Sequence, residues 1–261
     1  MSSSPVRALD ATGVERYSRQ LLIREIGEAG QLRLAEANVV VVGCGGLGVP
    51  AALYLGAAGV GRLLLIDPDR LALDNLNRQV AYRTGEIGRP KAELLATQLR
   101  DLNPSIEVRS KEELVTAPGI ARLFRDADLV LECSDDPLTK FLINDYCVGA
   151  GIELVIGGAV GLTGQVVAVP VGGACYRCLF VAPPSDPGTT CREAGVLGPL
   201  VGMIGALQAL EAIRMICRVG NDSGGRLLDF DAATVRWREV RFPLDPACTA
   251  HGGRPLGNGH N

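Results

Sequence analysis

The stretch Val39–Gly48 reads VVVVGCGGLG, and it determines which fold we expect for the chain. Four consecutive valines are typical of a strand buried on both faces, as in a parallel sheet. The glycines Gly43, Gly45 and Gly48 fit the spacing G-x-G-x-x-G, and Gly46 lies inside the motif. This spacing predicts a tight turn whose backbone approaches a phosphate at a helix N-terminus. Dehydrogenases and adenylating enzymes share it, so the motif leaves open which nucleotide is bound.

Strand and helix patterns alternate along the chain, which predicts an α/β fold with a doubly wound, Rossmann-like, mostly parallel sheet. Ligands of such sheets bind at the carboxyl ends of the strands. Gly43, Asp67 and Asp135 fall at three such ends, so we expect them in one crevice. The segments RLLDFD and VRWREVRFPL predict antiparallel strands that continue the sheet at its edge. The other predicted strands are Val39–Val42, Gly61–Asp67, Ile106–Ser110, Asp128–Asp135 and two within Glu153–Pro170, and the predicted helices include Val49–Ala58 and Lys91–Leu102.

Composition limits the classes of partner. The 261 residues are 47% hydrophobic and carry a formal charge of −3, which argues against nucleic acid or an anionic membrane as the main partner. The N-terminus has no signal-peptide core, and the apolar segment Ala194–Leu210 contains Pro199, so we interpret it as a core or subunit-interface helix. We therefore expect a cytoplasmic protein with a mobile arm over residues 1–15, one domain over 16–251 and a disordered tail over 252–261.

Two cations follow the second predicted strand. Arg78 lies among amides in NLNRQ, and Lys91 begins a helix directly after Pro90. Cleavage between the α and β phosphates of a triphosphate places charge on both fragments, and fixed cations stabilise that charge. Asp67 would accept hydrogen bonds from the ribose hydroxyls. The alternative is that Arg78 and Lys91 are ordinary solvated surface charges.

Four residues have the spacing of a metal site. Cys175-x-x-Cys178 and Cys248-x-x-His251 form two knuckles that could supply a tetrahedral structural zinc site. The alternative is a degraded site in which the cysteines only pack. Cysteines in apolar surroundings are interpreted as small core residues; these are Cys44, Cys133, Cys147 and Cys217.

Several motifs occur together in an order typical of one family. They are RYSRQLLIREIG, VVGCGGLG, LIDPDRLALDNLNRQ, IGRPKAE, ECSDD, CYRCL, TCREAGVLGPLVGMIGALQALEAI and the last cysteine region. From about Arg16 to His251 the chain resembles the ThiF, MoeB and HesA adenylyltransferases, relatives of the ubiquitin-activating enzymes. The family pattern at the metal site is four cysteines, whereas the last position here is His251.

The resemblance implies a reaction. The C-terminal glycine carboxylate of a small ubiquitin-like sulfur-carrier protein, ending in Gly-Gly, attacks the α-phosphate of ATP. The products are an acyl-adenylate and pyrophosphate, ahead of thiocarboxylate formation. It also implies Mg²⁺, structural Zn²⁺, a homodimer and, since no rhodanese-like domain follows residue 251, a separate sulfur donor protein.

The resemblance also implies roles for single residues. Arg19 would act across the dimer interface on the triphosphate of the partner subunit, and Asp135 would bind Mg²⁺. Cys191 would form a covalent link with the carrier in some members of the family, or it is a bystander on a loop. Asp136 stands where the family commonly has asparagine; it could bind metal, repel the substrate carboxylate or, as we expect, point to solvent. The implied nucleotide-binding set is Gly43, Gly45, Gly46, Gly48, Asp67, Asp69, Asp74, Asn75, Leu76, Asn77, Arg78, Lys91, Asp135 and Asp136.

Three other functions remain open. The first is a tRNA-modifying, dehydratase-type relative of the ThiF family, against which the acidic charge balance and the zinc cysteines argue. The second is a nicotinamide-dependent dehydrogenase, which hydride transfer would distinguish from pyrophosphate release. The third is a scaffold that binds the carrier without consuming ATP.

Overall fold

The valine run forms the centre of an eight-stranded sheet in the computed structural model, which describes residues 9–183, 194–220 and 225–252. The strands are β1 (Asn38–Val42), β2 (Arg62–Ile66), β3 (Glu107–Lys111), β4 (Leu129–Glu132), β5 (Glu153–Val160), β6 (Thr163–Val169), β7 (Arg226–Asp231) and β8 (Arg236–Arg241). The helices are α1 (Ala11–Arg16), α2 (Ser18–Leu21), α3 (Gly27–Glu36), α4 (Gly48–Ala58), α5 (Lys91–Leu102), α6 (Ile120–Leu123), α7 (Pro137–Ala150), α8 (Tyr176–Leu179) and α9 (Gly198–Cys217). Short 3-10 helices cover Leu73–Asn75, Thr84–Glu86 and Thr249–His251.

The sheet has the strand order β3-β2-β1-β4-β5-β6-β7-β8. The first five strands in this order are parallel, and β6, β7 and β8 continue the sheet in antiparallel pairs. The order reverses at β1, which pairs with β2 on one side and β4 on the other. The predicted α/β class, with an antiparallel edge, is confirmed.

The alternating sides of β1 contribute to two separate cores. Val39 and Val41 pack on the face covered by α3, α4, α5 and α9, whereas Val40 and Val42 pack on the face of α6 and α7. Both faces are buried, which explains why the strand reads as an unbroken apolar run. The four cysteines interpreted as core residues are buried, as predicted: Cys44, Cys133, Cys147 and Cys217.

The apolar helix α9 lies against the sheet. By length and composition it could cross a membrane, but half of its apolar window is buried within the fold, where it packs on α4 and β5. A Cβ atom at Gly205 would collide with the carbonyl oxygen of Leu47, so this glycine permits the close approach of α9 to α4. The prediction of a core helix is confirmed for the described part of this segment.

The structure describes only part of the predicted terminal segments. Helix α1 begins at Ala11, within the predicted arm, because the carboxylate of Asp10 accepts a hydrogen bond from the Gly13 N–H at 2.7 Å and caps the helix. The predicted tail beyond Gly252 lies outside the described residues, and so does Cys191.

Candidate nucleotide site and metal cluster

A crevice of about 1080 Å³ opens at the carboxyl ends of β1, β2 and β4. It lies where the strand order reverses, the usual ligand position of a doubly wound sheet. Among the predicted nucleotide-binding residues, those lining it are Gly43, Gly45, Gly46, Asp67, Asp69, Asp74, Asn75, Arg78, Lys91, Asp135 and Asp136. Gly48, Leu76 and Asn77 are not among its lining residues.

The glycines of the loop have different structural roles. Gly43 has a φ of +92°, a conformation that favours glycine. A Cβ at Gly48 would collide with the Gly43 carbonyl oxygen, so Gly48 permits tight packing of α4 against the turn. A Cβ at Gly46 would lie 2.7 Å from the Val201 side chain. Gly43, Gly45 and Gly46 line the crevice without a side chain, so the backbone itself can approach a ligand at these positions.

Asp67 anchors the glycine loop. One oxygen accepts the Cys44 N–H at 2.6 Å, and the other accepts the Asp69 N–H at 2.7 Å. Burial raises the pKa of its carboxyl group, and these two backbone bonds act against the shift. A carboxylate oxygen has a second lone pair, so Asp67 can hold the loop and still accept a ribose hydroxyl.

Lys91 and Arg78 both line the crevice. The Lys91 side chain is 6% exposed, and its ammonium pairs with Asp69 at 2.9 Å. The alternative interpretation of Lys91 as an ordinary solvated surface charge is therefore wrong. Arg78 is partly exposed and donates from Nη1 to the Asp74 carbonyl oxygen at 2.8 Å and to Asn77 Oδ1 at 3.0 Å. These neutral acceptors leave its charge without a carboxylate partner among the described residues.

Gln79 is a crevice residue that the sequence interpretation missed. It is buried and lines the crevice, and within the described part of the chain its Oε1 atom has no hydrogen-bond partner. A buried polar atom without a partner is costly unless a ligand or water satisfies it. The sequence feature that could have identified Gln79 is its position directly after Arg78 in the amide-rich NLNRQ segment.

The two consecutive aspartates differ in their contacts. Asp135 is exposed in the crevice and accepts no hydrogen bond from the described residues. Asp136 is exposed as well, but its oxygens accept the Leu138 N–H at 3.2 Å and the Thr139 N–H at 2.9 Å. The expectation that Asp136 only points to solvent was therefore wrong, because Asp136 caps α7. The negative charge of its carboxylate also interacts favourably with the positive end of the helix dipole.

A buried ion pair behind Asp135 was also missed. Glu132 ends β4 with no exposed surface, and Lys140 on α7 donates to its carboxylate. The Lys140 ammonium also donates to the carbonyl oxygens of Ser134 at 2.8 Å and Gly157 at 2.7 Å. Burial raises the pKa of the Glu132 carboxyl group, and Lys140 opposes this shift. The pair holds the loop that carries Asp135 against the ends of β4 and β5.

The two predicted metal knuckles come together beside α7, which is in contact with both α8 and the 3-10 helix Thr249–His251. One ligand atom from each of Cys175, Cys178, Cys248 and His251 lies within 4.8 Å of the other three. Cys175 Sγ is 3.8 Å from Cys178 Sγ and 3.7 Å from Cys248 Sγ. A tetrahedron with metal–sulfur bonds of about 2.3 Å has edges of about 3.8 Å, so this spacing fits zinc. His251 Nε2 is buried and has no hydrogen-bond partner among the residues that the structure describes, so it is available as a metal ligand.

Arg19 lies outside the crevice of its own chain. It is exposed on α2 and forms no hydrogen bond or ion pair with the described residues. Its predicted role requires a second subunit, so the single chain leaves that role a prediction.

The comparison with known protein families gives the decisive finding. The model of the ThiF family matches residues 17–250. The chain belongs to the ThiF family.

Named relatives agree with this membership. The chain is 41% identical over 255 residues to the "Adenylyltransferase and sulfurtransferase MOCS3" of Caenorhabditis briggsae, covering 96% of this chain and 63% of the relative. It is 41% identical over 247 residues to the "SAMP-activating enzyme E1" of Haloferax volcanii, covering 94% of this chain and 91% of the relative. The chain thus spans less than two thirds of that MOCS3 relative.

Solved structures show the same fold. The crystal structure of E. coli MccB with ATP has a TM-score of 0.81 and 23% sequence identity, covering 91% of this chain and 75% of that chain. At this identity the likeness concerns the fold alone. It confirms the Rossmann-like architecture that the valine run and the glycine motif predict.

Proposed function

We propose that this ThiF-family protein is an ATP-dependent adenylyltransferase. It activates the C-terminal glycine carboxylate of a ubiquitin-like sulfur-carrier protein as an acyl-adenylate and releases pyrophosphate. The observation that carries the proposal is a buried lysine, Lys91, that lines one open crevice together with the glycine loop and Arg78. The names of the relatives support an adenylyltransferase that acts on such carriers.

The crevice offers a complementary contact for each part of ATP. The glycine loop at the start of α4 presents backbone N–H groups and the positive end of the helix dipole to phosphate. Asp67 would accept the ribose hydroxyls. Arg78 would bind the α-phosphate or β-phosphate, because its present partners are neutral oxygens that a phosphate can replace.

Lys91 would stabilise the charge that develops during the reaction. The carrier carboxylate attacks the α-phosphorus, the bond to the β-phosphate oxygen breaks, and pyrophosphate leaves with that electron pair. Asp69 pairs with the Lys91 ammonium. Phosphate groups would compete for this ammonium, and its burial strengthens the attraction.

Asp135 fits a magnesium ligand. Asp135 lines the crevice and accepts no hydrogen bond from the part of the chain that the structure describes, and Mg²⁺ prefers hard carboxylate oxygens. Mg²⁺ would neutralise part of the phosphate charge. Asp136 is committed to capping α7, so we assign it to holding the loop and not to metal binding.

The remaining parts of the proposal concern the assembly. Arg19 would reach the triphosphate of the partner subunit in a homodimer. The cysteine and histidine cluster would hold a structural zinc ion that joins the Cys175–Cys178 knuckle to the segment from Cys248 to His251. The acyl-adenylate would then react with sulfur from a separate donor protein, and the proposed location is the cytoplasm.

Pyrophosphate exchange tests the proposal. Labelled pyrophosphate should enter ATP only when a suitable Gly-Gly carrier is present, so a panel of small Gly-Gly proteins is the substrate set. Arg78→Ala and Asp135→Ala should reduce exchange at least about a thousandfold. Exposed Arg83 and Asp126 lie outside the crevice, and Arg83→Ala and Asp126→Ala serve as matched controls with full exchange.

Two outcomes would contradict the proposal. Full exchange in both crevice variants would show that Arg78 and Asp135 are wrongly assigned to the site. Hydride transfer to a nicotinamide nucleotide, with no exchange for any carrier, would show that the protein is a dehydrogenase and not an adenylyltransferase.

A further inference from the structure

The metal cluster has a polar neighbour that does not belong to its predicted ligands. Asn144 lies on α7 with no exposed surface. Its Nδ2 atom is 3.6 Å from the Sγ atom of Cys175, within the range of an N–H···S hydrogen bond. Such a group needs a reason to be buried, because an amide without partners is costly in a core.

The orientation of the Asn144 amide is determined by its other contacts. Its Oδ1 atom accepts the backbone N–H of Tyr176 at 2.9 Å. A backbone N–H can only donate, so the oxygen must face Tyr176 and the NH₂ group must face the sulfur. The second N–H of this group donates to Asp145 Oδ1 at 3.2 Å. Both N–H donors and the oxygen of the side chain thus have a partner.

The chemistry of the cluster requires such donors. Three thiolates and a neutral histidine around one divalent cation leave a net charge of about −1 in a partly buried place. One backbone group of the described residues is such a donor: the Asp245 N–H donates to Cys178 Sγ at 3.5 Å. Asn144 is the one side-chain amide among the described residues that donates to a sulfur of the cluster.

We propose that Asn144 is a positioning residue of the metal site: it orients Cys175 and strengthens metal binding through its N–H···S bond. This rests on the zinc site of the proposed function. Groups that hydrogen-bond to metal ligands typically change metal affinity about 10- to 100-fold. The neighbouring Asp145 pairs with Arg177 at 2.6 Å, so two consecutive residues of α7 hold the Cys175–Cys178 knuckle.

Metal release from purified full-length protein tests the proposal. Asn144→Asp keeps the shape and the acceptor for Tyr176 but places a carboxylate against the thiolate. We expect zinc transfer to a colorimetric chelator to become about 10- to 100-fold more favourable. Asn103→Asp is the matched control, because it makes the same change at another asparagine without exposed surface, whose Nδ2 donates to the Gly56 carbonyl oxygen at 2.8 Å; its zinc affinity should stay within about threefold of the parent.

A spectroscopic signature separates positioning from general destabilisation. In the Co²⁺-substituted protein, loss of an N–H···S bond makes the thiolate a better electron donor, so the sulfur-to-cobalt absorption should move to longer wavelength in Asn144→Asp. An unchanged band and an unchanged zinc affinity in this variant would overturn the proposal.

The parent protein provides a test that needs no variant. With ¹¹³Cd and ¹⁵N labelling, a scalar coupling is expected between the Asn144 δ2 proton and cadmium. Its absence, while the coupling from the Asp245 amide is resolved, would overturn the proposal and leave the zinc site intact. Less than about a tenth of an equivalent of zinc, with no thiolate absorption from cobalt, would instead overturn the zinc site and this proposal together.

Discussion

Replacing Lys140 with methionine is expected to destabilise the protein strongly. The substitution keeps the length and much of the volume of the side chain but removes its charge and all of its hydrogen-bond donors. Lys140 is the ion-pair partner of Glu132, which has no exposed surface. The variant therefore leaves a buried carboxylate uncompensated, and it also leaves the Ser134 and Gly157 carbonyl oxygens without this donor.

The magnitude follows from these contacts. Removing one partner of a buried ion pair costs about 3–5 kcal/mol. Protonation of Glu132 limits the loss, whereas the two deprived carbonyl oxygens increase it, so we expect about 4 kcal/mol near neutral pH. That is a large part of a stability of about 5–15 kcal/mol. With a urea slope of about 3 kcal/mol/M, the unfolding midpoint falls by about 1.3 M.

Urea unfolding followed by circular dichroism measures the effect. The control is Arg109→Met, because Arg109 forms an ion pair with Glu107 in which both side chains are largely exposed, at 76% and 47%. An exposed pair contributes less than about 1 kcal/mol, so this control should shift the midpoint by less than about 0.3 M. The same chemical change thus has different effects at a buried and an exposed position.

Two further measurements test the reasoning. The paired variant Glu132→Gln/Lys140→Met removes the uncompensated charge and should recover more than half of the loss. Burial raises the pKa of Glu132, and loss of Lys140 raises it further, so the deficit of Lys140→Met should shrink at pH 5 relative to pH 8. The reasoning is refuted if Lys140→Met costs no more than Arg109→Met, or if the paired variant is no more stable than the single one.

Three other outcomes are expected. If Arg19 acts across a dimer, Arg19→Ala and Arg78→Ala proteins should each be inactive. Random exchange of their subunits should restore about a quarter of the parent activity, because about half of the dimers are mixed and each mixed dimer has one site with both arginines. No restoration would contradict the shared site. Ser110 donates to the Glu93 carboxylate and lowers its pKa, so Ser110→Ala should reduce the free energy of unfolding by less than about 1 kcal/mol at pH 7. This difference should disappear as the pH falls through the lowered pKa of Glu93. An equal loss of stability at pH 3 would contradict this origin. Burial raises the pKa of Cys147 to about 12, so mass spectrometry after iodoacetamide treatment at pH 8 should find it unmodified in the folded protein and modified in urea. The other buried cysteines outside the metal cluster should behave in the same way: Cys44, Cys133 and Cys217.

Local patterns were sufficient for the elements and for much of the crevice. The valine run and the glycine spacing depend on neighbours a few residues apart, so they predicted β1, the turn after it and α4. The rule that parallel strands align their carboxyl ends then placed Gly43, Asp67 and Asp135 together, as the structure shows. The two x-x knuckles likewise predicted the metal cluster, because each keeps its two ligands on one turn.

Only the tertiary structure decided which polar side chains form hydrogen bonds or ion pairs with each other and with the backbone. Asp136 was expected to face solvent, yet the start of α7 offers it two N–H groups. Lys140 meets Gly157, and Asn144 meets Cys175, across separations that the order of the strands and the path of α7 determine. No local period encodes such contacts, since each depends on the register and packing of elements far apart in the chain. The amino-acid sequence alone thus determined the strands, the phosphate loop and the ligand knuckles, whereas packing decided which buried charges and amides hold them in place.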